Sequence, residues 1–472
     1  MLVIISLEVK VREFIPKLFL AYKILKEKNF EILIGPQRLL FNRINNFENS
    51  IFFDKNTFHK RFGKNFNISN NFVCMLDEEG PIYLFDDLAK KFRYSNKLLT
   101  KIDKFYFWGK KDLNKISKKF YIHRNKASIV GHPKFDLLKK PYNKIFSKEL
   151  DYIKKKYGRF VLFASSFEDD SEVAKARNFA LIKEIYKGKS SSFLNFEKKK
   201  MIKYLNANSK NYIESIELFK SLAISNPQIN FVFRKHPHED DDLVKLKFNT
   251  LPKNLYLEYN FQVSPWIIAS SLYIHAGCTT SFEAACCNKK IIFFAPNHNF
   301  ARYKEFKKFG NFFFERKKCL SYVNNFLLNI IKFQKKYYYK NLNSLIYNLE
   351  VKNLFYERFI NDIKKVRFNK DSRIILTEDL DTNLSRAFFN LKKLIFSVLS
   401  FLKSHFFLKS FLISYLPEKY LYSFKDSIRK FDKLEKKEIK KLLYRFNQID
   451  GGNTMNLSIK KISNSVFHLK NN

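Results

Sequence analysis

Three short clusters in the chain combine residue types that do chemistry, and each stands where an apolar run ends. The first is Asp77-Glu78-Glu79-Gly80-Pro81, after the run Phe72 to Leu76. Carboxylates crowded together raise one another's proton affinity, as a general acid or base requires; the same charge run also suits an exposed loop. The second is Arg234-Lys235-His236-Pro237, after Asn230-Phe-Val-Phe233. Two cations and an imidazole suit a phosphate or a sugar carboxylate, and Pro237 fixes the turn. Its plain alternative is a solvated basic loop. The third is Ala276-Gly277-Cys278-Thr279-Thr280-Ser281-Phe282-Glu283, which leaves the run Leu272 to His275 and opens a helix. Such a turn offers backbone N–H groups and a positive dipole end to an anion. Gly277 would let a phosphate approach, Thr279, Thr280 and Ser281 would add hydroxyls, and Glu283 would accept from ribose. Alternatively, Thr280 and Glu283 form a capping box and nothing more. Gly131-His132-Pro133-Lys134-Phe135-Asp136 reads as a structural turn.

The elements that must position these clusters alternate between strand and helix. Leu2 to Leu7 reads as a buried strand, Phe14, Leu18, Tyr22 and Leu25 recur at helical spacing, and Glu31 to Gly35 reads as a second strand. Further short apolar runs follow at Ile51 to Phe53, Phe72 to Leu76, Phe105 to Trp108 and Ser128 to Val130. A basic helical stretch near 146 to 156 links this half to a second one, whose strands read as Phe160 to Phe163, Asn230 to Arg234, Leu255 to Tyr259, Leu272 to His275 and Ile291 to Phe294. The Lys- and Ser-rich segment 168 to 210 reads as an insertion or mobile loop. This pattern predicts parallel sheets covered on both faces, with ligands at the carboxyl ends of the strands. The predicted domains are 1–145, 155–330 and a helical, basic extension 331–472.

Length and composition limit the functions open to the chain. Its 472 residues predict two or three domains. With 46% apolar and 17% aromatic residues, intrinsic disorder is excluded. Lys and Arg number 88 against 45 Asp and Glu, a net charge of +43, which points to a polyanionic partner. Nucleic acid is disfavoured, because the cations are spread along the chain and no binding module is recognisable. Five cysteines without paired spacing suggest neither disulfides nor zinc and fit a reducing cytoplasm. The initial apolar run is too short for a secretory signal, and no uncharged stretch is long enough to span a membrane. Residues 386–472 hold 18 basic and 6 acidic residues. Within them Leu391 to Leu416 is amphipathic and suits an anionic membrane surface, or an oligomer interface.

In this order, Glu8-Val-Lys-Val-Arg12-Glu13, Leu76-Asp-Glu-Glu-Gly80, Phe107-Trp-Gly109, Val130-Gly-His-Pro-Lys-Phe-Asp136, Arg234-Lys-His-Pro237 and His275-Ala-Gly-Cys-Thr-Thr-Ser-Phe-Glu-Ala284 resemble the bacterial surface carbohydrate biosynthesis protein family. That family is similar to CMP-Kdo-dependent transferases of capsule and lipopolysaccharide, and more distantly to CDP-glycerol glycerophosphotransferases. The resemblance covers about residues 1 to 310. The family pattern has Asn at position 132 and Gly at position 281. The resemblance implies an α/β GT-B-like fold with two Rossmann-like domains facing a cleft: an N-terminal acceptor domain, a C-terminal nucleotide-sugar domain, and here a helical basic extension. It implies a metal-independent glycosyltransferase acting on a nucleotide sugar and a glycan or lipid-linked acceptor, needing no cofactor, cytoplasmic or peripheral on the inner membrane. A CDP-glycerol-type polyol-phosphate transferase and a non-catalytic assembly protein are the alternatives. Glu78, then Asp77, would face the acceptor. Arg234, Lys235, His236 and Pro237 would contact the donor phosphate or sugar, with His236 also a catalytic candidate. Gly277, Thr279, Thr280, Ser281 and Glu283 would hold the nucleotide.

Overall fold

The computed structural model describes residues 1–41, 47–55, 70–82, 94, 96–167, 172–237, 239, 241–333, 339–350, 352–374, 431, 433–453, 455–463 and 465–471. The strands of the first half are β1 (Leu2–Leu7), β2 (Glu31–Pro36), β3 (Phe47–Glu48), β4 (Ile51–Asp54), β5 (Phe72–Leu76), β6 (Lys104–Phe107) and β7 (Ala127–Ile129). Those of the second are β8 (Phe160–Ala164), β9 (Asn230–Arg234), β10 (Leu255–Glu258), β11 (Leu272–His275), β12 (Ile291–Phe294) and β13 (Asn311–Phe313). Three more follow: β14 (Arg373–Ile374), β15 (Leu457–Ser463) and β16 (Val466–Asn471).

The first sheet has the order β15-β16-β2-β1-β4-β5-β6-β7, the second β10-β9-β8-β11-β12-β13. Every pairing in the second is parallel, as are those from β2 to β7 in the first. The near-continuous apolar runs are the cause: β1 is buried along all six residues, and strands covered by helices on both faces cannot alternate with polar residues. The helix Lys10–Leu25 buries Phe14, Leu18, Tyr22 and Leu25 against the first sheet, and Ser147–Tyr157 joins the halves. One apolar core runs from Val3 and Ile5 through Phe146 and Tyr157 to Trp266 and Phe293, so it crosses from one half into the other.

Two expectations change. Segment 168–210 carries the helix Glu172–Ile185 and the first part of the long helix Ser191–Ser225. It has its own small core of Ile182, Tyr186, Met201, Tyr204 and Leu205, apolar residues too thinly spread among lysines to stand out by composition. The tail is also not a helical appendage. Its helix Lys436–Ile449 packs on Lys10–Leu25, burying Ile439, Leu442, Leu443 and Phe446, and the hairpin β15–β16 pairs antiparallel with β2. The stretch Leu391 to Leu416, on which the membrane reading rests, lies outside the described residues. Among the described residues no helix is long and apolar enough to cross a membrane.

Candidate functional site

The carboxyl ends of β1, β4 and β5 meet the start of the Lys10–Leu25 helix, and a buried charge network forms there. Lys17, 1% exposed, places its Nζ 2.9 Å from Glu78 Oε1 and 3.1 Å from Glu13 Oε2, and donates to the Ser6 carbonyl at 2.8 Å. Glu13 also pairs with Arg12 at 3.0 Å. The second oxygen of Glu78 lies 2.8 Å from His132 Nε2. Burial alone would raise the Glu78 carboxyl, but Lys17, His132 and Arg12 outweigh it and hold the group well below its ordinary range. The expectation of a raised carboxyl at 77–79 is thus corrected for Glu78: cations, not fellow carboxylates, are its nearest charges. At 3% exposure, with both oxygens engaged, it orients His132 and Lys17 instead of lying open in a cleft. Asp77, 4% exposed, accepts the Glu79 amide at 2.9 Å, and its carbonyl accepts Trp108 Nε1 at 2.5 Å.

His132, read from sequence as part of a structural turn, is the residue that reasoning missed. Burial lowers its proton affinity more than Glu78 restores it, so the ring is neutral. Its Nδ1 accepts the Lys134 amide at 3.2 Å, which assigns the proton to Nε2, facing Glu78. The loop is held from far along the chain, since Asn348 accepts the His132 amide at 3.0 Å and donates to its carbonyl at 2.9 Å. Gly131 makes this possible: with φ +87°, it leaves room where a Cβ would stand 1.8 Å from Asn348 Oδ1.

From the second half, Glu283 is 4% exposed, accepts Ser264 Oγ at 2.6 Å and lies 3.4 Å from Lys134 Nζ. One line of contacts therefore joins Glu283, Lys134, His132, Glu78 and Lys17, and it crosses from one sheet's site to the other's. The capping box does not form: Thr279 is the N-cap of the seven-residue helix Thr280–Cys286 and makes no side-chain capping bond. Gly277 has φ +100°, and a Cβ there would meet the Tyr303 ring at 2.7 Å. The Gly277 and Cys278 amides both donate to His275 Nδ1 at 3.2 Å, so these two N–H groups point inward rather than toward a ligand. Thr280 Oγ1 bonds Tyr273 at 2.6 Å and Cys278 Sγ at 2.8 Å. Ser281 Oγ is buried with no hydrogen-bond partner among the described residues, and Thr279 is half-buried.

Arg234 leaves β9 and is 7% exposed; burial pushes its guanidinium down to about 10, leaving it charged at neutral pH. One nitrogen donates to the Phe261 carbonyl at 2.6 Å, while Nε has no partner among the described residues. Lys235 donates to the Glu239 carbonyl at 3.2 Å, and the His236 amide donates to the Glu239 carboxylate. Arg234, Lys235 and Pro237 line a cavity of about 600 Å³. Its other walls are the start of the Lys10–Leu25 helix, the linker near Phe146 and Glu149, the loop Tyr259–Pro265 and the C-terminal helix at Glu438, Lys441, Leu442 and Arg445. The expected binding residues thus fall into two groups. Arg234, Lys235 and Pro237 face this cavity; Gly277, Thr279, Thr280, Ser281 and Glu283 do not line it, nor do His236, Asp77 and Glu78. Among the described residues no group of three or more His, Cys, Asp or Glu could hold a metal ion, and all five cysteines are free thiols.

No protein-family model and no curated protein sequence matches the chain. Solved structures do. The wall teichoic acid polymerase TagF superposes with a TM-score of 0.50 at 14% identity, over 77% of this chain and 89% of that one. A UDP-GlcNAc 2-epimerase of Methanocaldococcus jannaschii, in complex with UDP-GlcNAc and UDP, gives 0.47 at 12% identity over 78% and 100%. MnaA of S. aureus with UDP gives 0.44 at 10% identity over 77% and 95%.

Proposed function

From a GT-B-like fold of the kind found in surface carbohydrate biosynthesis, we propose that the chain is a transferase that moves a sugar from a nucleotide donor to a surface polysaccharide or lipid-linked acceptor. The observation that carries this reading is the Lys134–Glu283 contact of 3.4 Å, which joins the His132–Glu78 pair of the first half to the start of the Thr280–Cys286 helix of the second. Arg234 and Lys134 supply fixed positive charge where the donor phosphates would lie, doing electrostatically what a divalent ion does elsewhere.

In the transfer, the acceptor hydroxyl attacks the anomeric carbon, the bond from that carbon to the phosphate oxygen breaks, and the nucleotide leaves as an anion. The hydroxyl proton needs an acceptor. Glu78 fixes the Nε2–H tautomer of His132, so Nδ1 is the lone pair left to take it, and doing so requires the 3.2 Å bond from the Lys134 amide to open. Glu78 then stabilises the imidazolium, so the two act as base and orienting partner. The likeness to a teichoic acid polymerase supports a second reading, polyol-phosphate transfer from a CDP-glycerol-type donor, in which the same cations face the phosphorus under attack.

A thermal-shift panel of CMP-, CDP-, UDP-, GDP- and dTDP-linked donors tests the proposal. A bound donor at a hundredfold excess over its Kd adds about 2.7 kcal/mol to stability, and one nucleotide class should stand out. Mass analysis of the product then separates an added sugar from a phosphodiester. No response to any nucleotide would refute both readings.

A further inference from the structure

The 600 Å³ cavity is lined by Arg234 but by no residue of the Thr279–Glu283 turn, and its lining differs in kind from a phosphate cradle. At its mouth Tyr259 is 57% and Phe261 37% exposed, large for aromatic rings with nothing apolar to gain from water. Phe261 is held there against its backbone preference. Its φ of +62° is in the left-handed region, uncommon for a bulky residue, and the buried Arg234 guanidinium grips its carbonyl at 2.6 Å. The Phe261 ring is also braced edge-on by Tyr152, with centroids 5.6 Å apart. Lys235 Nζ lies 4.9 Å from the Tyr259 ring centre.

Below the rings the walls carry both hydrogen-bond acceptors and donors. Arg445 forms a two-pronged pair with Glu149, at 3.2 Å for each contact, and Lys10 pairs with Glu438 at 2.9 Å. Paired carboxylates and cations of this sort can exchange bonds with a ligand's hydroxyls, which both give and accept. Gln262 Nε2 and Arg234 Nε, both on lining residues, are donors with no partner among the described residues. Cations on the lining outnumber carboxylates five to two, so the cavity favours a negatively charged ligand.

We propose that this cavity is the acceptor subsite and that it takes an acidic oligosaccharide, one sugar ring stacking on Tyr259 and Phe261 while its carboxylate or phosphate meets Lys235 and Lys441. The assignment rests on the transferase reading and adds the acceptor's chemistry to it. Arg234 is then a positioning residue for the stacking loop as well as a cation near the donor. The tail has a function here, because its helix supplies Lys441 and Arg445 to the wall.

The test uses tetragalacturonate as the acidic probe and maltotetraose as the neutral one, titrated by calorimetry against the full chain, Tyr259→Ala and Lys441→Glu. Both changed side chains are exposed, and melting curves check that the variants stay folded. Tetragalacturonate should bind saturably and more tightly than maltotetraose, and each substitution should weaken it by about threefold or more, the size expected of one lost ring or exposed charge contact. Unchanged affinity in Tyr259→Ala, or displacement of the tetrasaccharide by a nucleotide donor, would overturn the assignment. Nucleotide thermal shifts on the same proteins keep the two claims apart: both variants should retain the wild-type shift, whereas a wild type that responds to no nucleotide refutes the transferase reading whatever the tetrasaccharide does.

Discussion

Replacing Glu78 by Gln keeps the shape of the side chain and removes one charge from a buried network, so its cost can be worked from the geometry. At 2.9 Å and an effective dielectric of about 20, the Lys17–Glu78 attraction is about 6 kcal/mol. Much of that is returned because a carboxylate no longer has to be desolvated. Lys17 also keeps Glu13 at 3.1 Å and the Ser6 carbonyl at 2.8 Å. The net destabilisation should therefore be about 3 kcal/mol, at the low end for breaking a buried pair. Urea unfolding of wild type, Glu78→Gln, Lys17→Met and the double variant measures it, and the double variant should be at least about 1.5 kcal/mol more stable than the two single costs predict. The pH dependence has a definite sign. The Glu78 carboxyl is depressed in the folded state, so its contribution is complete above the unfolded value near 4.5 and disappears as the pH falls through the lower folded value. The gap between wild type and Glu78→Gln should not close between pH 8 and about 5, widening on the acid side because His132 without Glu78 resists protonation more, and should close only in stronger acid. Additive costs within about 0.5 kcal/mol, or a gap that closes near neutrality, would refute the network as described.

Two further outcomes follow from residues beside it. Asp54, 1% exposed, is pushed up to about 6 by burial, although Ser6, Gln37 and the Lys55 amide bond its carboxylate; a raised acid costs stability as the pH climbs from about 4 to 6, so Asp54→Asn should gain on wild type by up to about 3 kcal/mol across that range in denaturant titrations. Gly131→Ala would drive a Cβ to 1.8 Å from Asn348 Oδ1 at a φ of +87°, and should cost about 3 kcal/mol or more by urea unfolding, of which the companion change Asn348→Ala recovers only the clash and not the backbone strain.

What the sequence made legible was local. The strand runs, the turns after β5, β9 and β11, and the two-half α/β order could all be read because each is announced within a few residues by an apolar run and the polar group that ends it. The GT-B expectation is borne out by the superposition with TagF. The sequence did not show who meets whom. Glu78 looked like a carboxylate among carboxylates because Lys17 and His132 are brought to it by a helix and a loop 61 and 54 positions away. Asn348, which shapes the His132 loop, is 216 positions from it. The hairpin was missed for a different reason. Ser463-Asn464-Ser465 lies between two runs with buried Ile459, Val466, Phe467 and Leu469, but the lysines among them read as a basic helical tail.

That hairpin fixes when the edge of the first sheet can be covered during synthesis. β2 begins at Glu31, and the strand that covers its open edge holds His468, bonded to Glu31 at 2.9 Å across 437 positions. At about 5 to 20 residues added per second, β2 waits from roughly 20 to 90 s for its partner. Through that interval the edge carrying Ile32, Leu33 and Ile34 and the helix face later covered by Phe446 are open on the nascent chain, the condition in which strands pair with the wrong neighbour. The first sheet is therefore begun by β1 and β2 and closed at that edge only when β16 has been made.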